Sequence, residues 1–346
     1  MTVPGILRAL EQAESFRDAV AAASVDADFS LVEGLDAPLV AALLERRRAA
    51  GHPPVVLVIA PTGRRAESFG PALRSLVPGA EMLHFPAWET LPHERLSPSA
   101  EIVGRRLEAL GRIAEWSGTT PLVITASVRA AVQPLAAGLT DIRSVVLTAG
   151  SRAHDLADVA RELVTLAYHR VDMVSRRGEF AVRGGILDVF PPTAAHPFRV
   201  EFFGDEVDQI RAFSVADQRS LPGEIAEVSL IASRELLLTD AVRERAAGLT
   251  ESFPGLRSML EKMSEGIPVE GMESLLPAVA DRLVSLADYL PERAAVVLVE
   301  PERAITRAIT LSDTNREFLE AAWSAATAGA KTPVDLGAGD FLSLPA

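Results

Sequence analysis

The chain has 346 residues, 48% of them apolar and 23% charged, a net charge of −13 and no cysteine. Such a length can bury two or three cores, and the acidic balance argues against a broad nucleic-acid or anionic-membrane surface, which needs a wide positive field. The lack of cysteine rules out disulfides, a thiolate nucleophile and cysteine metal sites, and it fits a reducing cytoplasm.

The first segment, "MTVPGILRALEQAESFRDAVAAAS", reads as an amphipathic helix over about 5–23 with acidic residues, unlike a signal peptide. No apolar run reaches the ~20 residues of a membrane span, so a soluble cytoplasmic chain without a membrane partner is expected. A second helix is expected near 36–50. "PPVVLVIA" (53–60) is a short β-branched run, as in a strand buried on both faces. "RAESFGPALRSLV" then reads as a helix, "EMLHF" as a strand, "PSAEIVGRRLEALGRIAEW" as a helix and "PLVITA" as a buried strand. Strands alternating with helices imply a parallel sheet.

From about 168 the texture changes to short strands between turns: "HRVDMVS", "GEFAVRG", "GILDVFP", "FRVEFFG" and "EVDQIRAF". Gly204-Asp205 is a hairpin signal, so this part should be antiparallel. "EVSLIAS" (227–233) is a further strand, followed by a helix near 240–252. The remainder, with "VVLVEP" (296–301), reads as a small α/β unit, and "GAKTPVDLGAGDFLSLPA" as a linker.

The loop after the first buried strand has the setting of a phosphate-binding loop, G-x-x-x-x-G-K-[ST]. Its eight positions hold Ala60, Pro61, Thr62, Gly63, Arg64, Arg65, Ala66 and Glu67. Ala60 and Arg65 replace the required glycines, and Ala66 replaces the lysine that reaches the phosphates. Glu67 stands where a hydroxyl would hold magnesium. A cradle needs close backbone approach and the lysine charge, so neither ATP binding nor hydrolysis is expected here. The six histidines show no metal-ligand spacing, and His93-Glu94 sits in a proline-bracketed loop. No G-x-S-x-G nucleophile elbow occurs. No catalytic residue, cofactor or metal is expected.

A basic stretch interrupts the acidic chain: "YHRVDMVSRRGEFAVRGGILDVFPP" (168–192) gathers Arg170, Arg176, Arg177 and Arg183. Alternation in "EFAVRG" puts Ala181 and Arg183 on one face and Phe180 and Val182 on the other. Arg170 and Arg177 are expected to join Arg183, with Phe180 packing beneath. Such a cluster is either a solvated sheet face or a surface for bidentate pairing with a partner's carboxylates.

The stretch "FPAWETLPHERLSPSAEIVGRRLEAL" (85–110) closely resembles "FPxWETLPYDxxSPxxxIxxxRLxxL" of the bacterial transcription-repair coupling factors (Mfd). "YHRVDMVSRRGEFAVRGGILDVFPP" with "FRVEFFGDEVDQIRAFSVADQRS" resembles the second domain that this family shares with the excision-repair subunit UvrB. The resemblance covers essentially the whole chain and identifies it as the N-terminal UvrB-like part, a fragment without the RNA-polymerase-binding and DNA translocase motor domains. It implies a helicase-like parallel-sheet domain with a degenerate P-loop, an inserted antiparallel α+β domain and a small C-terminal α/β domain. The expected divisions are 1–130 (domain 1a), 131–220 (domain 2), 221–252 (domain 1b), 253–335 (a small α/β domain) and 336–346 (a linker). It also implies a non-catalytic adaptor in transcription-coupled nucleotide excision repair that recruits UvrA. Arg170, Arg177 and Arg183 match the arginines of "YxRND…RGxFRVRG" through which UvrB docks on UvrA, and Phe180 matches the aromatic between them. Ala181 departs from that pattern, and Arg176 has no match. Between Phe85 and Ser99 there is no room for UvrB's DNA-clamping hairpin, so little direct DNA binding is expected. The alternatives are an ATP-dependent DNA-processing subunit like UvrB and an unrelated nucleotide- or sugar-binding α/β enzyme.

Overall fold

Alternation within one short apolar run organises the first half of the molecule. In the computed structural model, which describes residues 4–23, 26–32, 34–91 and 94–326, strand β1 (Val55–Ala60) is buried along its whole length. Val55, Leu57 and Ile59 enter one core, and Val56, Val58 and Ala60 enter another. That is the two-sided burial expected of a parallel strand. The linker expected at 336–346 and His93 lie outside the described residues.

Helices α1 (Pro4–Leu10), α2 (Glu14–Ala22) and α3 (Asp36–Ala49) precede β1, so the helix expected near 5–23 is two helices. After β1 come α4 (Gly63–Leu76), β2 (Glu81–Phe85), α5 (Ala100–Ala114) and β3 (Leu122–Ser127). Hydroxyl caps start both helices. Thr62 Oγ1 accepts from the Arg65 N–H at 3.3 Å, and Ser99 Oγ accepts from the Ile102 N–H at 3.4 Å, each satisfying one donor that the first turn leaves unpaired.

The next elements are α6 (Val128–Val132), β4 (Leu135–Ala136), β5 (Val145–Thr148) and α7 (Leu156–Thr165). Then follow β6 (His169–Arg170), β7 (Glu179–Arg183), β8 (Ile186–Val189), β9 (Phe198–Phe203), β10 (Glu206–Ala212) and β11 (Glu227–Leu230). The chain ends its described part with α8 (Asp240–Leu249), α9 (Arg257–Ser264), α10 (Leu276–Val279), β12 (Leu283–Val284), β13 (Ala295–Leu298) and α11 (Pro301–Ala326).

Two sheets carry the architecture. The first is parallel, in the order β13-β1-β3-β2. The second, β10-β9-β8-β7-β6, is antiparallel except for its last pair, where β6 runs parallel to β7. The expected hairpin joins β9 to β10 through Gly204 and Asp205, with Gly204 at φ +65°. The strand expected over 169–175 stops at Arg170. Beyond it the Glu179 carboxylate accepts the backbone N–H groups of Ser175 and Arg176, each at 2.8 Å, and winds the segment into a turn.

Strand pairing crosses the expected divisions at 130/131, 220/221 and 252/253. β13, read as part of a separate unit at 253–335, is the edge strand of the first sheet beside β1. β5, placed within 131–220, pairs with β11, placed within 221–252. β4 likewise pairs with β12. A four-residue apolar run announces a strand but carries no information about its neighbour, because register and order are set by the surface it covers. One apolar core is continuous from Val55 and Leu57 under the first sheet to Phe180, Leu187, Val200 and Ile210 under the second.

A buried ion pair ties α5 to the segment that follows β11. Arg106 of α5 is 0% exposed, and its Nε donates to Glu235 Oε1 at 2.5 Å while Nη2 donates to Oε2 at 3.3 Å. Arg106 Nη1 also donates to the Pro86 carbonyl at 2.8 Å. Trp88 Nε1 donates to Glu235 Oε1 at 2.9 Å, and the Trp88 N–H donates to Gln133 Oε1 at 3.0 Å. The guanidinium lies over the Phe85 ring, 4.3 Å from its centroid. Removing one partner would strand a buried charge, so Arg106→Ala is expected to lose ~3–5 kcal/mol of unfolding free energy. Urea denaturation checks this, and a loss under about 1 kcal/mol would mean that water replaces the pair.

Candidate docking surface

The loop at the end of β1 is closed by its own side chains. Ala60 and Ala66 are fully buried and face the core beneath α4. Gly63 opens α4, and no atom lies within 4 Å of where a Cβ would stand, so its backbone is not closely approached. Arg65 pairs with Asp36, meets Glu300 at 3.3 Å and stacks on Phe69 at 4.9 Å. It thereby lies across the cleft bordered by Pro61, Thr62, Arg64, Ser68, Glu300 and Arg303. Glu67 Oε1 is 3.6 Å from His84 Nε2. Burial lowers the His84 pKa, against an opposing pull from Glu67, and His84 Nδ1 sits 3.0 Å from Thr125 Oγ1. The lowered pKa favours the uncharged ring, which weakens the Glu67 contact as an ion pair.

The second sheet sorts the arginine stretch. Phe180 is fully buried in the large core, as its alternation requires. Ala181 faces the other way, into a small cluster with Val174, Phe190 and Phe213. On that same face the register aligns Ala181, Asp188, Arg199 and Arg211 across β7 to β10. Asp188 is 1% exposed and accepts from three arginine nitrogens. Arg199 approaches fork to fork, Nε to Oδ1 at 2.7 Å and Nη2 to Oδ2 at 2.9 Å, and Arg183 Nη2 donates to Oδ2 at 2.5 Å. The hydrogen bond to Asp188 raises the Arg199 pKa, and Arg199 also stacks over Phe213 at 4.9 Å. Arg183 keeps 54% of its side chain exposed.

The expectation of one common arginine face is not met. Arg170 is exposed, and the parallel register sets it beside Phe180, hence on the opposite face from Arg183. It stands on the sheet's free edge and makes no ion pair among the described residues. Arg177 is committed inward: its guanidinium lies 5.0 Å from the Phe190 ring centroid and Nη1 is 3.6 Å from Glu101 of α5, leaving 33% of the side chain exposed. The short expected strand misplaced both, since the turn after Arg170 breaks the alternation that would have carried the pattern through to Arg177. Gly178 completes that turn at φ +80°, where a Cβ would come within 3.1 Å of Ser233 Cβ and 3.4 Å of Ala100 Cβ. Arg176 is exposed on the turn.

Two residues on the Arg183 face escaped the sequence reading. Asp188 is an acid inside "GILDVF", between two residues that face the core. Phe203 is 83% exposed at the hairpin, while its neighbour Phe202 packs against the large core. Adjacent aromatics in a strand cannot both face inward, so "EFFG" was the available signal.

The second sheet and its flanks define a known class of module. Residues 145–236 match the family model described as the UvrB interaction domain. Over 330 residues the chain is 47% identical to the transcription-repair-coupling factor of Mycobacterium tuberculosis (strain CDC 1551 / Oshkosh), covering 90% of this chain and 26% of that protein. It is 37% identical over 237 residues to the corresponding factor of Myxococcus xanthus, covering 64% of this chain and 19% of that one. With Escherichia coli (strain K12) the identity is 28% over 266 residues, covering 75% and 22%. The chain thus spans about a quarter of the length of the curated relatives it matches. These matches identify it as the N-terminal UvrB-like region of a transcription-repair coupling factor.

Because Arg177 is packed and Arg176 is not, their truncations should differ. Arg177→Ala is expected to cost ~1 kcal/mol through the lost ring contact, and Arg176→Ala under about 0.5 kcal/mol. Parallel urea titrations decide it, and equal midpoints would show that Arg177 contributes nothing to packing.

Proposed function

We propose that this chain is a non-catalytic docking module of transcription-coupled nucleotide excision repair, whose partner is UvrA, recruited to lesions where RNA polymerase has stalled. The observation that carries the reading is Arg183, a half-exposed guanidinium held by the buried Asp188 within the segment that matches the UvrB interaction domain. Arg170 supplies a second exposed cation around the free edge of β6, so the partner would grip the sheet across that edge. Arg177 and Phe180 support the surface from within, and Phe203 offers an apolar anchor on the Arg183 face. Interfaces concentrate energy in a few such residues. Motor and polymerase-binding activities form no part of this reading, and nothing in it requires the module to touch DNA or the membrane.

Supporting the non-catalytic part is the loop at 60–67, read as a degenerate P-loop on a helicase-like sheet. Arg65 crosses its cleft, and no lysine or closely approached glycine remains to hold phosphate. Millimolar Mg-ATP is accordingly expected to leave the melting temperature unchanged. A rise of several degrees would favour the alternative of an ATP-dependent subunit like UvrB, because ligand binding stabilises by mass action.

The docking test is a pull-down and titration of purified UvrA with this chain. Removing Arg170 and Arg183 together, by substitution to alanine, should abolish detectable association, since truncating a desolvated charge partner costs ~2–5 kcal/mol. The melting temperature should barely move. Arg176→Ala should bind as the parent does. Wild-type affinity in the double variant would place the docking surface elsewhere.

A further inference from the structure

We infer that Asp188 is the positioning residue of the docking surface: its buried carboxylate fixes the guanidinium of Arg183 in the orientation in which an acidic group of the partner meets it. This deepens the docking reading and rests on it.

Asp188 sits in the middle of β8, with Leu187 and Val189 on either side fully buried on the other face. Its charge is already balanced by Arg199, which approaches through two parallel N–H donors. Arg199 is itself enclosed: 19% of its side chain is exposed, it stacks on Phe213 and its Nη1 donates to the Gln218 carbonyl at 3.3 Å. Arg199 is thus the internal counter-ion. Arg183 arrives as a second cation on the same Oδ2, bound through Nη2 alone.

Two guanidinium groups share this one carboxylate, and Glu201, the cross-strand neighbour of Ile186, also acts on Arg199. Arg183 is the exposed cation of the group. With Nη2 turned down to Asp188, the planar fork is set, and its Nε and Nη1 make no hydrogen bond among the described residues. Each remains as a separate donor for an acceptor of the partner. A free arginine side chain would have to lose rotamer freedom on binding, whereas this one loses much of it on folding, which is how preorganisation raises affinity. Ala181 beside Asp188 is too small to offer a competing contact. A purely structural ion pair would need no second arginine, and the one present contributes little to folding from so exposed a site.

The test is a double-mutant cycle on purified UvrA binding to this chain: the parent, Arg183→Ala, Asp188→Asn and both together, each checked for a cooperative unfolding transition. If Asp188 acts through Arg183, the asparagine variant should weaken binding by roughly tenfold, and in the Arg183→Ala background it should weaken it no further. Losses that multiply would show that Asp188 acts independently, and unchanged affinity in Asp188→Asn would reduce it to a structural role. Either result overturns the inference while leaving Arg183 in the interface. Unchanged affinity in Arg183→Ala would instead overturn the docking reading itself. Should Asp188→Asn fail to fold, Asp188→Glu keeps the charge for Arg199 while displacing the acceptor, and the same non-additivity decides.

Discussion

Much of this molecule depends on the buried contact between Arg106 and Glu235. The two residues lie 129 positions apart, one on the helix that covers the first sheet and the other just past the strand that returns from the second. Each would be intolerable alone in so apolar a setting. Together, with the Pro86 carbonyl, Gln133 and the Trp88 indole completing their hydrogen bonds, they fix where the chain re-enters the first layer. The surrounding loop is held by the same logic. Ser97 donates to Glu273 at 2.6 Å, accepts from Arg234 at 3.1 Å and accepts from the Gly271 N–H at 2.9 Å.

Helix α5 extends that constraint to the second sheet. Gly104 lies two residues before Arg106, and a Cβ there would meet Pro192 Cβ at 2.4 Å, so the segment after β8 packs directly against the helix backbone. Glu101, a turn earlier, reaches Arg177. One helix therefore carries the buried arginine, the glycine contact and the acid that draws Arg177 inward. The orientation of the arginine-bearing sheet is a consequence of how α5 is anchored, and Arg177 is the link between anchor and surface.

Within the acidic chain the arginines of 168–192 then divide by what they meet. Arg177 finds an aromatic ring and a glutamate of its own chain. Arg183 finds a carboxylate already neutralised and remains half exposed. Arg170 and Arg176 find neither. A row of like residues in the sequence thus becomes a set of separate roles, and the distinction rests on partners that the fold brings in from other elements.

The sequence by itself determined the local periodicities. The β-branched run of β1, the helices after it, the Gly204-Asp205 hairpin and the inward turn of Phe180 follow from spacing and turn chemistry within a few residues. The substituted loop at 60–67 was legible for the same reason, since a missing lysine or glycine is visible without any fold. The motifs around Trp88 and Arg170 also sufficed to suggest the family. What only the tertiary structure decided is which elements and charges meet. β13 joined β1 instead of forming its own unit, because an apolar strand is neutral about which sheet edge it covers. Arg170 and Arg183 fell on opposite faces because a turn set by the Glu179 carboxylate broke the alternation between them. Asp188 became a shared acceptor because two neighbouring strands brought arginines to it, a cross-strand register that no single stretch of sequence contains.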